Sequence, residues 1–253
     1  MIINKENITT YLRILKYSDS KLEIFKYILK RIVGINPFFN KDIFITKDDN
    51  IFNCGRIIEN CKVICEIREE DMYFDINNGT FIDVGGHIGK HSIPIAKRGN
   101  IKVISIEPNE NSFKLLNDNI ILNDVEDIVT PINIALSDKE GIIEYFENEH
   151  HPATNSLVKT KDKIPKKIKC STLDKLCSNV NDIKVVKIDV EGAELLVLKG
   201  AKETLLKHKP KIYFESWSED GAENIEIYLK EFGYNKLTRL NDIDYLSEVV
   251  RWI

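Results

Sequence analysis

The chain has 253 residues, with 36 Lys+Arg against 40 Asp+Glu, a formal net charge of −4, 43% hydrophobic and 30% charged residues. A disordered or collagen-like chain would lack this apolar fraction, and a nucleic-acid binder working by broad phosphate neutralisation would carry a basic excess, so neither class is expected. The length suits one large α/β domain, or a core domain with a smaller appendage.

The N-terminal stretch MIINKENITTYLRILKYS has charges where a signal peptide needs an apolar run. No apolar run approaches the roughly 18–20 residues that cross a bilayer, so a cytoplasmic protein with no transmembrane segment is expected. Leu22, Phe25, Leu29, Ile32 and Val33 then recur at helical spacing with Lys21, Lys26, Lys30 and Arg31 between them, and Gly34 and Pro37 end the pattern. Such a basic amphipathic helix packs on its own domain or on a second subunit, with membrane contact as the alternative. From Ile43 to Phe81 short strands with turn signals are expected, and residues 1–75 read as an accessory cap before a main domain at 76–253. The five cysteines are Cys54, Cys61, Cys65, Cys170 and Cys177. Cys61 and Cys65 lie in the strand-like CKVICEI, where residues four apart stand about 13 Å from each other, so they read as packing residues and no metal is expected.

From Thr80 the runs TFIDV, KVISIEP, VTPINIAL, IKVVKIDV and PKIYFES are continuously apolar, as strands buried on both faces of a parallel sheet should be. Helices are expected to begin near Gly89, Asn109, Ala193 and Glu219. The alternation predicts a doubly wound α/β sheet that binds ligands at the carboxyl ends of its strands. Residues 141–171 are too polar and strand-like for a crossover helix and read as a hairpin insertion beside the site.

Gly85, Gly86 and Gly89, three of twelve glycines, crowd the strand-to-helix turn of FIDVGGHIGKHS. A turn of this kind lets a ligand approach the backbone with no Cβ in the way. Glu107 ends the next strand, eighteen residues after Gly89, where a carboxylate receives ribose hydroxyls. A nucleoside cofactor follows. Asp83 would repel a pyrophosphate but attract a sulfonium and an ammonium, so S-adenosylmethionine is favoured over NAD. The second constellation is VVKIDVEGAELLVLKGA. Asp189 and Glu191 are two apart at a strand end and so should point to the same side, Lys187 lies two before Asp189 on that side, and Glu215 ends the following strand. The expected uses are to orient or deprotonate an acceptor or to hold a hard cation, with a buried ion pair as the plain alternative.

Together, FIDVGGHIGKHS, ISIEPNENSFKLLNDNIILN, NIALSDKEG, STLDKL and VVKIDVEGAELLVLKGA resemble the FkbM-type methyltransferases, a branch of the class I S-adenosylmethionine-dependent family. The resemblance implies a Rossmann-like, mostly parallel seven-stranded sheet with helices on both faces and an antiparallel last strand. It also implies S-adenosylmethionine as methyl donor and O-methylation of a sugar, glycan or secondary metabolite. Carried over by position, Asp83, Gly85 and Gly89 would hold the methionine part and Glu107 the ribose, with Gly86 and His87 of the same turn as further cofactor-binding candidates. Pro108 and Asn109 would border the nucleoside, and Ala135, Leu136 and Ser137 would lie near the adenine. Asp189 and Glu191 would face the reacting centre, and the strand-end constellation adds Lys187 and Glu215 as catalytic candidates. The family's turn usually reads D-V-G-A-N-I-G, whereas this chain has Gly86 and His87 in the middle.

On the insertion, His150 and His151 form a second candidate base. Lys159, Lys161, Lys163, Lys166, Lys167 and Lys169 read either as a solvated face or as an attraction for an anionic small-molecule or glycan acceptor. An NAD-dependent oxidoreductase and a non-catalytic S-adenosylmethionine-binding module stand as the alternatives to a methyltransferase. No nucleic-acid partner is expected.

Overall fold

The computed structural model describes residues 43–46, 50–55, 74–147 and 164–250. The expectations for the N-terminal helix, for Cys61 and Cys65, for His150 and His151 and for the first three insertion lysines lie outside them.

At the centre is a seven-stranded sheet. Its strands are β3 (Gly79–Val84), β4 (Ile101–Ile106), β5 (Val129–Ile132), β9 (Ile183–Ile188), β10 (Lys211–Glu215), β11 (Lys236–Arg239) and β12 (Asp244–Glu248). They lie in the order β11-β12-β10-β9-β3-β4-β5. The five from β10 to β5 are parallel, while β12 runs antiparallel to β10 and β11 antiparallel to β12. This is the doubly wound, mostly parallel sheet expected, with antiparallel last strands.

Both faces are buried because adjacent residues of the apolar runs point opposite ways. Phe81, Val103, Val185 and Tyr213 pack on one side with Ile93 and Ile95 of α1 (Ser92–Ala96) and Leu116 and Ile120 of α2 (Glu110–Leu122). On the other side Ile82, Val84, Val186, Ile188, Ile212 and Phe214 meet α3 (Leu173–Leu176), α4 (Glu194–Lys199), α5 (Lys202–His208) and α6 (Glu219–Lys230). The helix starts fall near their expected places: Asn109 caps α2 by accepting the Ser112 amide at 2.9 Å, and Ser218 caps α6 by accepting that of Gly221 at 3.1 Å.

The run VTPINIAL does not stay in one strand. It leaves the main sheet after Ile132, where the Asn133 side-chain amide donates to the carbonyls of Glu107 (2.8 Å) and Pro108 (3.1 Å). It re-forms as β6 (Ala135–Leu136) in a second sheet, parallel to β8 (Ile164–Ser171). Residues β7 (Gly141–Glu147) and β8 pair antiparallel from Gly141↔Cys170 to Glu147↔Ile164.

The hairpin of β1 (Ile43–Ile45) and β2 (Ile51–Asn53) is tied to α2 by side-chain amides. Asn119 and Asn123 both bond the β2 backbone, at 2.5 Å from the Asn53 amide and 2.9 Å from the Ile51 amide. Phe52, Cys54 and Phe74 join the same apolar cluster as Phe81, and Phe74 sets its ring edge against Phe81 and Tyr213 at 5.0 and 4.8 Å. Cys54, Cys170 and Cys177 are buried thiols. Among the described residues no helix is long and apolar enough to cross a membrane.

Candidate active site

Sheet register assembles the floor of the site. Asp83 lies beside Ser105 of β4 on one side and Lys187 of β9 on the other. The strand order reverses between β3 and β9, and there a crevice opens at the carboxyl ends. Asp83 is fully buried: one carboxylate oxygen accepts Ser92 Oγ at 2.6 Å, and the other lies 3.3 Å from Lys187 Nζ. Ser92 is also 2.9 Å from Ser105 Oγ. The lysine ammonium reaches Asp189 at 3.2 Å and the Gly85 carbonyl at 3.2 Å. Burial disfavours the charge on Lys187, but Asp189 and Asp83 outweigh it and its pKa rises. Lys187 is therefore a fixed cation and no base.

Above this floor the chain turns. The Gly85 and Gly86 amides donate to the Ile106 carbonyl at 2.9 and 3.0 Å. Gly85 has φ +82°, and a Cβ there would stand 1.8 Å from the Asp189 carbonyl oxygen; one on Gly86 would stand 2.1 Å from Ser105 Oγ. The glycines thus let the turn press onto β9 and β4. His87 takes φ 48°, a conformation that few non-glycine residues adopt. Its amide donates to Glu107 at 2.8 Å, while both ring nitrogens are buried with no hydrogen-bond partner among the described residues. Burial lowers its pKa to about 4, against the attraction of Asp189, so the ring is neutral near pH 7.

Glu107 is also buried, and its other oxygen accepts the Asn109 amide at 2.8 Å. Burial raises its pKa to about 7, against those two amides and Lys187. Ala135, Leu136 and Ser137 are buried on the edge next to it, the Ser137 amide donating to the Ser171 carbonyl at 3.0 Å.

The rim is acidic. One oxygen each of Asp189, Glu191 and Glu215 lie within 4.8 Å of one another, the one group among the described residues with the spacing for a metal ion. Burial and the Asp189 charge push the Glu215 pKa up to about 10, and neutral Glu215 bonds to Asp189. Burial works against ionisation of Asp189, yet Lys187 and that bond prevail and lower its pKa.

Two parts of the sequence argument change. Strand alternation does not place Glu191, because β9 ends at Ile188; Glu191 reaches the cluster through a turn at φ 57°. Asp83 has no exposed surface and is matched by Lys187, so of the two carboxylates on that lysine Asp189, its side chain 36% exposed, is the one open to the crevice. Sequence reasoning missed Ser92 and Ser105, which hold Asp83, and Glu194, which accepts the Val190 and Gly192 amides at 3.2 and 3.0 Å and shapes the rim turn. An acid in the first turn of α4 was the available signal for Glu194.

The methyltransferase FkbM domain matches residues 83–236, from the buried floor carboxylate to the start of β11. The chain belongs to the FkbM methyltransferase family. It is 35% identical over 143 residues to the hexuronic acid methyltransferase AglP of Haloferax volcanii, covering 55% of this chain and 54% of that protein. It thus spans about half the length of that relative. To the methyltransferase sdnD of Sordaria araneosa it is 26% identical over 205 residues, 65% of this chain and 78% of that one. In fold it is similar to the crystal structure of methyltransferase FkbM from Methylobacillus flagellatus (TM-score 0.53, 14% identity, 96% of this chain and 59% of that one).

Proposed function

We propose that the protein is an S-adenosylmethionine-dependent O-methyltransferase acting on a hydroxyl of a sugar or glycan. The carrying observation is the pairing of a glycine turn that a Cβ would fill with a rim carboxylate, Asp189, kept anionic by Lys187. The residues fit the cofactor. Glu107, steadied by two backbone amides, would receive the ribose hydroxyls; the orphaned His87 nitrogens and the glycine turn would meet the methionine end; Ala135, Leu136 and Ser137 would flank the adenine.

When bound, S-adenosylmethionine would supply an electrophilic methyl group to the acceptor oxygen, its sulfur retaining the bonding pair. Asp189 accepts a hydrogen bond from the acceptor hydroxyl and aligns its lone pair. Glu215 still holds its own proton near neutral pH, so it steadies Asp189 and takes no part as a base. As the oxygen becomes positive its proton passes toward Asp189 and on to solvent. The AglP likeness supports a sugar acceptor, and the exposed Lys166, Lys167 and Lys169 of β8 favour an anionic one. A cytoplasmic location completes the reading.

Asp189→Asn tests it. S-adenosylhomocysteine formation with a methylated sugar acceptor is expected to fall roughly 100-fold, while calorimetric S-adenosylmethionine affinity stays within about threefold. Full turnover would remove Asp189 from its role.

A further inference from the structure

A carboxylate rim explains how a hydroxyl is held but not how one alcohol is told from another. Just beyond Glu215 stands Trp217, 67% exposed and the one aromatic among the large apolar side chains left open in the described residues. Singly exposed apolar residues are ordinary, and Leu206 or Ile227 on helix surfaces call for no explanation. Trp217 differs in its place and its support. It follows the last residue of β10 by two positions, about 7 Å of chain, on the ligand edge of the sheet.

The bend that carries it is fixed on both sides. The amide of buried Ser216 donates to the Ile243 carbonyl at 2.8 Å, and Ser216 Oγ donates to the Ser218 carbonyl at 2.9 Å. Ser218 in turn caps α6. A Cβ on Gly221 would stand 2.7 Å from Ser216 Oγ, so the first turn of the helix closes on the bend. The side chain with most to lose from exposure thus sits on pinned backbone two residues past the rim carboxylate Glu215, an arrangement that lowers the ordering cost of a stacking contact.

An indole face is electron-rich, and the C–H bonds on one face of a pyranose are polarised positive by the ring and hydroxyl oxygens. Such a ring can lie flat on the indole with its hydroxyls free at the edge. We infer that Trp217 is the platform for the acceptor: it stacks against the C–H face of a pyranoside whose hydroxyl bonds to Asp189. This rests on the O-methylation reading above and specifies its substrate class.

The Trp252→Phe protein keeps Trp217 as its one indole, since the chain has two tryptophans. Saturated with S-adenosylhomocysteine, it is titrated with methyl glucuronide, sorbitol and catechol while tryptophan emission is followed. Initial rates with methyl glucuronide are measured for the wild type, Trp217→Phe and Trp217→Ala. The expected result is a saturable emission change with the glycoside and none with sorbitol. Trp217→Ala should raise KM roughly tenfold, with kcat within about twofold, and Trp217→Phe should recover most of the loss. S-adenosylmethionine affinity should be equal in all three. An unchanged KM in Trp217→Ala overturns the platform and leaves O-methylation standing. Absent glycoside binding with intact cofactor binding overturns both, and tighter binding of catechol than of the glycoside overturns the pyranoside class.

Discussion

Replacing Lys187 with Met should be among the most damaging single changes at the site, for a reason separate from catalysis. The methionine keeps most of the volume and removes the ammonium that lies 3.3 Å from Asp83 and 3.2 Å from Asp189. Asp189 can turn to solvent, but Asp83 has no exposed surface and among the described residues keeps only the Ser92 hydroxyl. Breaking a buried pair on one side costs about 3–5 kcal/mol, because the remaining charge is stranded. Against a domain stability of about 5–15 kcal/mol this is a large share, and it corresponds to a fall of roughly 6–20 °C in Tm for a chain of this size. Urea unfolding followed by circular dichroism measures it. Asp83→Asn combined with Lys187→Met should lose distinctly less than the two single losses added, because the stranded charge is gone. A single Lys187→Met protein within about 1 kcal/mol of wild type would refute the reasoning, as would additivity in the double variant.

Glu107 gives a pH test. Its raised pKa of about 7 means that folded protein holds a proton the unfolded chain has released, so apo stability should decline as pH climbs from the ordinary carboxylate range through about 7. Over the same range S-adenosylmethionine should bind more tightly, as the carboxylate appears; calorimetry from pH 6 to 8 should show the trend, and Glu107→Gln should flatten it and weaken binding roughly tenfold. Gly85→Ala sets a Cβ 1.8 Å from a backbone oxygen at φ +82°, so it should lower Tm and abolish cofactor binding, whereas wild-type calorimetric titration would refute the tight contact between turn and β9. His87→Asn suits the positive φ and removes an orphaned ring, so apo stability should hold or rise while S-adenosylmethionine affinity shifts by several-fold; unchanged affinity would place His87 outside the cofactor contact.

Apolar runs are readable because burial on both faces leaves no polar positions, and that is why the main strands and the cap of α2 were legible in the sequence. Glu107 and Glu215 were legible for the same reason, as the first charged residues after such runs. The site's inner wiring was not. Asp83 and Lys187 meet through the register between β3 and β9, strands far apart in sequence, and no local pattern carries that register. Reading Asp83 as a ligand-facing charge followed from treating a strand end as an open end, when a second layer of Ser92 and Ser105 covers it. Glu191 was placed by extending strand alternation past the point where the strand stops. The break of VTPINIAL after Ile132 depends on Asn133 finding carbonyls on another strand, a contact invisible from either segment alone.

The distance along the chain between the two halves of the floor has a consequence for how the protein forms. Lys187 bonds to a carbonyl 102 residues earlier, so β3, β4 and β5 emerge from synthesis long before the cation that neutralises Asp83. Until β9 docks, that carboxylate lies on the open edge strand of an unfinished sheet. The first half therefore cannot close its core ahead of the second, and docking of β9 completes the hydrogen-bond ladder and the charge balance in one event. A chain cut between β8 and β9 should remain collapsed and prone to associate, and the complete chain should fold as one cooperative unit.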